Sequence, residues 1–496
     1  FTTNKENTFP MERNKTLNHL TPNVVWGHFE SICQIPRPSR KEEKIIAFLE
    51  EFSNKNKLKF KKDKAGNVLI SKAATPGFEN KKTVVLQSHL DMVCEKHSYI
   101  EHNFETDPIT PVIDGEWVKA QGTTLGADCG IGIAAQLAVL TSSNIEHGPI
   151  ECLFTVDEET GLTGAFALEP GFFDGKVLIN LDSEDEGELF IGCAGGIDTV
   201  ATFTFQTREI PAGFFPLEIK VSGLQGGHSG DDINKGRANA NKLLVRILWD
   251  LYHKYGIKLT HIEGGNLRNA IAREASARFL VLKGYKENLV AQFNIYVNDL
   301  HEELRITEPG VKIELSSAEM PAFVLCDENC EKLLNMLYAC PHGVFAMSYR
   351  MPGLVETSTN LASVKIKDNR VIEITTSQRS DHESGKLDIM SMVESVFKLG
   401  GATVVHSDGY PGWTPNPDSE ILRITEKAYI ELFGNKPIVR SIHAGLECGL
   451  FLKKYPDLDM ISFGPTIKGA HSPEESLNIE TVDKFWNLLT KVLKMI

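Results

Sequence analysis

The stretch VVLQSHLDMV (84–93) determines how the rest of the chain is interpreted. An apolar run ends in His89, and Asp91 follows two residues later. Because side chains alternate along an extended strand, His89 and Asp91 point to the same side. Imidazole is a common ligand of zinc-class ions, and a neighbouring carboxylate can accept its second N–H and fix the orientation of the ring. The stretch therefore predicts a buried strand that ends in a histidine–carboxylate pair.

Three further segments carry candidate carboxylates, in a tight turn before a helix or just beyond an apolar run. Asp128 lies in GTTLGADCGIG (122–132), Glu158 and Glu159 lie in FTVDEETG (154–161), and Asp182 lies in LINLDSEDEG (178–187). Each acidic residue is predicted at the C-terminal edge of a sheet, where open α/β sheets build their sites. Clustered carboxylates repel one another unless a cation neutralises them, so the pattern indicates a metal centre. Of two adjacent glutamates, one can bind metal while the other accepts a proton from water.

The alternation of short apolar runs with helical patterns predicts an α/β fold. Helical periodicity at 41–52 and 130–140 separates runs at 67–71, 150–156 and 177–180. These patterns favour a mixed, mostly parallel sheet flanked by helices. From about residue 197 the pattern changes to longer strands and amphipathic helices, and it returns after 404. We therefore predict a discontinuous catalytic domain (22–196 and 404–496) interrupted by an inserted α+β lid domain (197–403). One arrangement of this insertion consists of two similar halves.

Composition restricts the class of protein. The 496 residues contain 52 Lys and Arg against 66 Asp and Glu, a net charge of −14, which argues against nucleic-acid or anionic-membrane partners. Nine scattered cysteines indicate free thiols in a reducing compartment. No stretch reaches the roughly 18–20 apolar residues of a membrane helix. Residues 1–21 lack the apolar segment of a signal peptide and are predicted to be a disordered extension. A cytoplasmic enzyme is the expectation.

The ordered set His89-x-Asp91, Asp128, Glu158-Glu159, Asp182 and the distant His471 resembles the co-catalytic zinc peptidases of the aminoacylase and glutamate carboxypeptidase family. The resemblance to its aminoacyl-histidine (Xaa-His) dipeptidase branch rests on five further motifs: GCAGGID (192–198), GLQGGHSG (223–230), GGNLRNAIAREA (264–275), YPGW (410–413) and HAGLECGLF (443–451). It extends from about residue 22 to the end of the chain.

The resemblance implies a role for each candidate residue. It makes Asp128 the bridge between two divalent ions, most simply zinc, with manganese or cobalt as alternatives. The remaining ligands would be His89 and Asp182 on one ion, and Glu159 and His471 on the other. Glu158 would be the general base, and Asp91 would orient His89. The lid histidine His228 would stabilise the oxyanion, while Asn269 and Arg379 would bind the backbone and terminal carboxylate of the substrate.

The implied reaction is hydrolysis of dipeptides, preferentially Xaa-His and carnosine-like substrates, by a metal-bridged water that Glu158 activates. Two alternatives stay open: an N-acyl amino acid deacylase or desuccinylase of the same family, and a non-catalytic metal-binding protein. Monomer and homodimer are both compatible with the sequence. One departure from the family pattern is Cys129, where relatives usually carry Asp or Asn and often a cis peptide bond. Its thiol would change the metal preference, make the site sensitive to oxidation, or face away and alter only the packing.

Overall fold

The computed structural model describes residues 17–367 and 370–496. The chain divides into two compact units. The first contains the described residues up to Ile191 together with Asn416–Arg440 and Leu450–Ile496, and the second contains Gly192–Pro415 and Ser441–Gly449. The second unit therefore extends beyond the predicted insertion of 197–403 at both ends, and it takes in a short segment from the C-terminal part of the chain.

The strands, in chain order, are β1 (Lys59–Lys62), β2 (Val68–Lys72), β3 (Val84–His89), β4 (Pro111–Asp114), β5 (Trp117–Ala120), β6 (Ile150–Thr155), β7 (Val177–Asn180), β8 (Glu188–Cys193), β9 (Gly195–Thr204), β10 (Thr207–Arg208), β11 (Phe214–Ser222), β12 (Gly227–His228), β13 (Lys258–Gly264), β14 (Ala270–Ile271), β15 (Ala275–Leu282), β16 (Lys312–Ser317), β17 (Val324–Leu325), β18 (Gly343–Met347), β19 (Val355–Lys367), β20 (Val371–Ser380), β21 (Thr403–His406), β22 (Ile438–Ile442), β23 (Asp459–Ser462), β24 (Ile467–Lys468) and β25 (Ser476–Asn478).

The α-helices are α1 (Asn23–Cys33), α2 (Glu43–Lys55), α3 (Ala127–Thr141), α4 (Glu158–Gly161), α5 (Thr163–Ala167), α6 (Ala240–Tyr255), α7 (Lys286–Leu304), α8 (Asp327–Ala339), α9 (Glu383–Leu399), α10 (Glu420–Phe433), α11 (Cys448–Lys454) and α12 (Ile479–Met495). No helix within the described ranges has the length and apolar character needed to cross a bilayer.

The predicted disordered extension, residues 1–21, falls mainly on residues 1–16, which lie outside the described part of the chain. Its remaining residues are folded. Leu17 is completely buried, and the indole N–H of Trp26 in α1 donates to the carbonyl of Thr21 at 3.2 Å. Residues 17–21 are thus held against the start of the first helix, which differs from the prediction for them.

The first unit is built on an eight-stranded sheet in the order β1-β2-β6-β3-β7-β23-β8-β22. Its central strands β6, β3, β7 and β23 are parallel, whereas β1, β2 and β8 pair antiparallel with their neighbours. The sheet is mixed as predicted, and these four strands form a parallel block at its centre. They are fully buried or nearly so, which explains why their sequences are apolar runs rather than alternating patterns. Their carboxyl ends share one edge.

The second unit is an antiparallel sheet with helices packed on one face. Eight strands follow the order β16-β11-β15-β13-β19-β20-β9-β21, and β18 pairs with β19. Along β11 the side chains of Leu217, Ile219 and Val221 point to a core that also contains buried residues of α6, α7, α8 and α9. The alternation of apolar and polar residues is that of a sheet covered on one side. An α+β architecture of this kind is what the sequence predicts for the insertion.

Helix α6 shows how local sequence fixes an element of this unit. The Asn239 side chain accepts hydrogen bonds from the backbone N–H groups of Asn241 and Lys242, which caps the first turn. Gly256 ends the helix in the left-handed conformation, with φ of 60°. Between these caps, one face of the helix carries buried leucines that belong to the core of the unit.

Close backbone packing at the end of β23 positions the strand end of β7. A Cβ atom on Gly464 would lie 1.9 Å from the carbonyl oxygen of Ser183. The hydroxyl groups of Ser183 and Ser462 are 2.6 Å apart, and Ser462 also donates to the Asn180 side chain at 2.6 Å. The segment that follows β7 is therefore held by contacts that leave no room for a larger residue at 464.

We predict that Gly464→Ala lowers the free energy of unfolding by about 1–3 kcal/mol, because the new methyl group forces the backbone around residue 183 to move. Denaturation in urea, followed by circular dichroism, measures the loss. Gly284→Ala is the matched control, since no atom lies within 4 Å of a Cβ there. Equal stability of the two variants would contradict the tight packing described for Gly464.

Candidate metal centre

Strand β3 places His89 at the carboxyl edge of the parallel strands. Its Nε2 atom lies 3.0 Å from Asp128 Oδ1 and 3.2 Å from Asp182 Oδ1. Its Nδ1 atom lies 3.1 Å from the Asp91 carbonyl oxygen and 3.4 Å from Asp91 Oδ1. One ring nitrogen therefore faces two candidate ligands while Asp91 orients the other. This is the arrangement that the His-x-Asp pattern predicts.

His471 occupies the opposite side of Asp128. Its Nε2 atom lies 3.1 Å from Asp128 Oδ2 and 3.0 Å from Glu159 Oε2. The residue has a φ of 64°, and its side chain is 53% exposed. The two oxygens of Asp128 consequently face two different histidines, each accompanied by a second carboxylate. A carboxylate in this position has the geometry of a bridging ligand.

Asp91 fixes both halves of this arrangement. Its Oδ1 accepts the backbone N–H of Glu158 at 3.0 Å, and its Oδ2 accepts that of Glu159 at 3.1 Å and the Ser39 hydroxyl at 2.8 Å. Burial alone would raise the pKa of Asp91, but the hydrogen bond and charge of His89, together with these donors, lower it to about 2. Asp91 is thus an anion that holds the start of α4 as well as His89.

The electrostatics of the other groups favour a bound cation. Burial, followed by the charge of Asp128, raises the pKa of Asp182. Hydrogen bonds to Asp128 and Glu159 raise the pKa of His471 to about 11. Within the described part of the chain, the buried Oε1 atom of Glu159 makes no hydrogen bond, and Asp182 Oδ1 has only the His89 imidazole beside it, at 3.2 Å and outside hydrogen-bond geometry. Buried carboxylate oxygens without donors are unfavourable, and divalent ions would satisfy them in place of protons.

The donor set also fits a metal. Potential ligand atoms lie within 4.8 Å of one another in three overlapping groups: His89, Cys129 and Asp182; His89, Glu158 and Glu159; and Asp128, Glu159 and His471. Imidazole nitrogen and carboxylate oxygen are the usual ligands of zinc-class ions. All five predicted metal ligands and Glu158 are therefore brought together, and the residues present can hold divalent metal.

Cys129 is buried beside the centre. The Asp128–Cys129 peptide bond is cis, as the resemblance implies. The thiol donates to the carbonyl of Leu181 at 3.3 Å, and burial raises its pKa well above the usual range. Cys129 therefore contacts the segment that follows β7 and lies close to His89 and Asp182.

Two residues that the sequence did not single out position the ligands. Glu475 accepts the backbone N–H groups of four successive residues, at 2.7 Å from Leu125, 2.9 Å from Gly126, 2.7 Å from Ala127 and 3.3 Å from Asp128. Arg37 donates to the carbonyl oxygens of Leu90 and Asp91 at 3.0 and 2.7 Å. Both side chains are almost completely buried. Together they fix the turn before Asp128 and the segment after His89.

The second unit contains the remaining predicted residues. His228 pairs with Ala270 between β12 and β14, and the carbonyl of Asn269 accepts the N–H of Ser229 at 2.8 Å. His228 Nδ1 accepts the N–H groups of Gly230 and Asp231 at 3.3 and 3.2 Å. The structure therefore brings His228 and Asn269 next to each other, with Asn269 exposed.

Arg379 lies on β20 in the same unit. Its side chain is 6% exposed, Nη1 donates to the Tyr410 hydroxyl at 3.0 Å, and Nε is buried without a partner among the described residues. Burial, followed by the charge of Arg379, lowers the pKa of His443 to about 3. A buried guanidinium with an unused donor beside a neutral histidine is suited to bind an anion.

Comparison with known proteins identifies the family of this chain. Residues 85–495 match the model of Peptidase family M20/M25/M40. The chain belongs to this family. It is 45% identical over 480 residues to the cytosol non-specific dipeptidase of Escherichia coli, covering 97% of this chain and 99% of the relative. The crystal structure of an aminoacylhistidine dipeptidase from Vibrio alginolyticus is 45% identical, with a TM-score of 0.89 over 97% of this chain and 98% of that one.

A more distant structure shares the fold alone. The aminopeptidase PepT from Bacillus cereus is 15% identical, with a TM-score of 0.56 over 96% of this chain and 99% of that one. The family and the α/β fold class predicted from the sequence are confirmed by these similarities.

We predict that Glu475→Gln weakens metal binding by about 10–100-fold, because an amide offers one acceptor oxygen to backbone donors that now share two. Competition with a chromophoric chelator measures the affinity. Glu474→Gln is the control, since the Glu474 side chain is 75% exposed. If both variants bound metal like the parent protein, the turn before Asp128 would not depend on Glu475.

Proposed function

We propose that this chain is a metal-dependent dipeptidase that prefers Xaa-His substrates, including carnosine-like ones. The dipeptidase assignment follows from membership of the peptidase family and from 45% identity to two dipeptidases over nearly the whole chain. The observation that carries the mechanism is Asp128, whose two oxygens face His89 and His471. The preference for histidine is supported by the likeness to an aminoacylhistidine dipeptidase.

The centre would hold two divalent ions, most simply zinc, although manganese or cobalt would suit the same ligands. His89, Asp128 and Asp182 form one group of ligands, and Asp128, Glu159 and His471 form the other. When bound, such ions polarise the scissile carbonyl and lower the pKa of water. The chain's own contribution is to hold the ligands in place through Asp91 and Glu475 and to supply the groups that move protons.

Glu158 is the proposed general base. Its backbone N–H is fixed by Asp91, and its carboxylate lies within 4.8 Å of the ligand atoms of His89 and Glu159. In the proposed reaction a Glu158 oxygen accepts a proton from the attacking water as the new C–O bond forms. The same oxygen then delivers that proton to the departing amine as the C–N bond breaks, so the proton count balances.

His228 is the proposed donor to the developing oxyanion. Two backbone N–H groups point at Nδ1, whereas Asp231 Oδ2 lies 3.4 Å away from it. A nitrogen that accepts two hydrogen bonds carries the lone pair, so the ring proton is on Nε2, where it is free to donate. The turn 228–231 therefore selects the tautomer that oxyanion stabilisation requires.

Arg379 and Asn269 are proposed to bind the substrate. The unused Nε of Arg379 supplies a charged donor for the terminal carboxylate. Asn269 supplies an exposed amide for the substrate backbone. Within this proposal the discontinuous domain that carries the ligands is catalytic, and residues 197–403 are the lid. A cytoplasmic location is supported by the E. coli relative, which is named a cytosol enzyme.

We predict that Glu158→Gln retains its metal but loses about 10²–10⁴-fold in kcat, because the amide cannot accept the proton. Hydrolysis of β-alanyl-histidine and the metal content of the same sample are measured together. Glu169→Gln, at an exposed position ten or so residues further along, provides the control. Near-normal hydrolysis by the Glu158 variant would remove this residue from the role of base.

A substrate panel separates a dipeptidase from an N-acyl amino acid deacylase. We expect Ala-His and β-alanyl-histidine to be hydrolysed and N-acetyl-histidine to be resistant. We also expect Arg379→Met to lower kcat/KM for the free dipeptides by about 10–100-fold, because a charge-assisted hydrogen bond to the carboxylate is lost. The C-terminal amide of β-alanyl-histidine, which lacks that charge, should be affected much less.

Arg268→Met is the control for this panel, since Arg268 is 68% exposed and pairs with Asp198. Efficient cleavage of N-acetyl-histidine would favour the deacylase. An equal effect of Arg379→Met on the free dipeptide and on its C-terminal amide would show that Arg379 does not bind the substrate carboxylate.

A further inference from the structure

A second group of potential ligands lies in the second unit, where β19 and β20 end their pairing. Thr357 pairs with Ser380, and the N–H of Asp381 donates to the carbonyl of Glu356 at 3.2 Å, which extends the ladder by one step. His382 follows directly and precedes helix α9. The side chains of Glu356, Asp381 and His382 thus project from neighbouring backbone positions.

The three side chains face one another. His382 Nε2 lies 3.8 Å from Asp381 Oδ1 and 3.9 Å from Glu356 Oε2. These distances are too long for hydrogen bonds. They are a few tenths of an ångström larger than the roughly 3.4 Å expected between ligand atoms of a tetrahedral ion with bonds of about 2.1 Å. A small inward movement of the side chains would therefore allow all three to bind one ion.

Asp381 provides an independent observation that points to a ligand, because one of its buried oxygens has no hydrogen-bond donor among the described residues. The residue is 5% exposed, and its Oδ1 atom, the one that faces His382, is buried and makes no hydrogen bond within the described part of the chain. Burial raises the pKa of Asp381, opposed by His382 and reinforced by the charge of Glu356. A buried carboxylate oxygen without a donor is unfavourable unless a cation or a proton satisfies it.

The positive groups nearby do not satisfy this oxygen. The charge of Arg350 acts to lower the pKa of Asp381, yet the guanidinium makes no hydrogen bond to Oδ1. The backbone around the cluster is held independently of it. Thr414 donates to the Asp381 carbonyl at 2.9 Å, and the His382 N–H donates to Ser380 Oγ at 3.2 Å. The ligands are therefore presented on a fixed backbone.

We propose that Glu356, Asp381 and His382 form a separate site for one divalent cation of the zinc or manganese class. One imidazole nitrogen and two carboxylate oxygens suit such an ion better than they suit calcium, which prefers six to eight oxygens. The ion would join the start of β19 to the end of β20 and to the start of α9. Because Arg379 lies two residues before Asp381, the same ion would hold the strand end that carries this arginine.

The test compares metal content after loading with Zn²⁺ and after removing loosely bound ions. We expect His382→Asn to bind one ion fewer per chain than the parent protein. His261→Asn is the matched control, because His261 is also 30% exposed and lies 3.6 Å from a carboxylate, that of Glu263. It should bind as many ions as the parent. If His382→Asn folds poorly, the nearly isosteric Asp381→Asn replaces it.

A crystal of the zinc-loaded protein locates the ion directly. An anomalous peak between Glu356, Asp381 and His382 would support the site. Equal zinc content in the parent and the His382 variant, or the absence of such a peak when peaks at Asp128 are present, would overturn it and leave a histidine–carboxylate ion pair. This result does not depend on the proposed dipeptidase activity. If that activity were absent, dipeptide hydrolysis would not be detected, but the zinc bound through His382 would still be measured.

Discussion

The burial of several carboxylates at one edge of a sheet is the constraint on which this structure depends. Such groups repel one another and lose their hydration on burial. Each buried carboxylate therefore needs hydrogen-bond donors or cations if the fold is to be stable. For two of these carboxylates the protein itself supplies the hydrogen-bond donors. Asp91 accepts three hydrogen bonds, and Glu475 accepts four from consecutive backbone groups. The others, Asp128, Asp182 and Glu159, have histidines on one side, and in the proposed centre divalent ions would neutralise them. Asp91 and Glu475 hold the backbone segments that bring these three carboxylates together.

Much of this could be predicted from the sequence, because the determining patterns are local. Buried parallel strands are short apolar runs, and the residues that follow them must meet at one edge, so His89, Glu159 and Asp182 were found by position. Apolar periodicity in the sequence predicts the helices at 43–55, 127–141 and 240–255, with ends that differ from the observed ones by a few residues. His471 lacked such a signal, since a histidine in a loop is usually exposed. Its placement came from resemblance to the family.

The residues that escaped prediction act over long distances in the sequence. Glu475 binds backbone groups about 350 residues earlier, and Arg37 binds carbonyls more than 50 residues later. Neither contact leaves a periodic or compositional trace. An acid in a loop is more often solvated than buried, and an arginine next to prolines carries no sign of its partners. The segment 441–449 leaves no such trace either, because it joins the second unit only through tertiary contacts.

Comparison of Asp91 with Asp381 shows how burial alone is ambiguous. Both side chains are almost inaccessible to water. In Asp91 a histidine and three donors lower the pKa against the effect of burial, and both carboxylate oxygens accept hydrogen bonds. In Asp381 the pKa is raised and one oxygen has no donor, although a histidine and a second carboxylate face it. The first is a completed structural anion. The second, like Asp182 and Glu159, has a buried carboxylate oxygen that makes no hydrogen bond within the described part of the chain. The physical reasoning that supports the proposed paired centre therefore also supports a cation at Asp381.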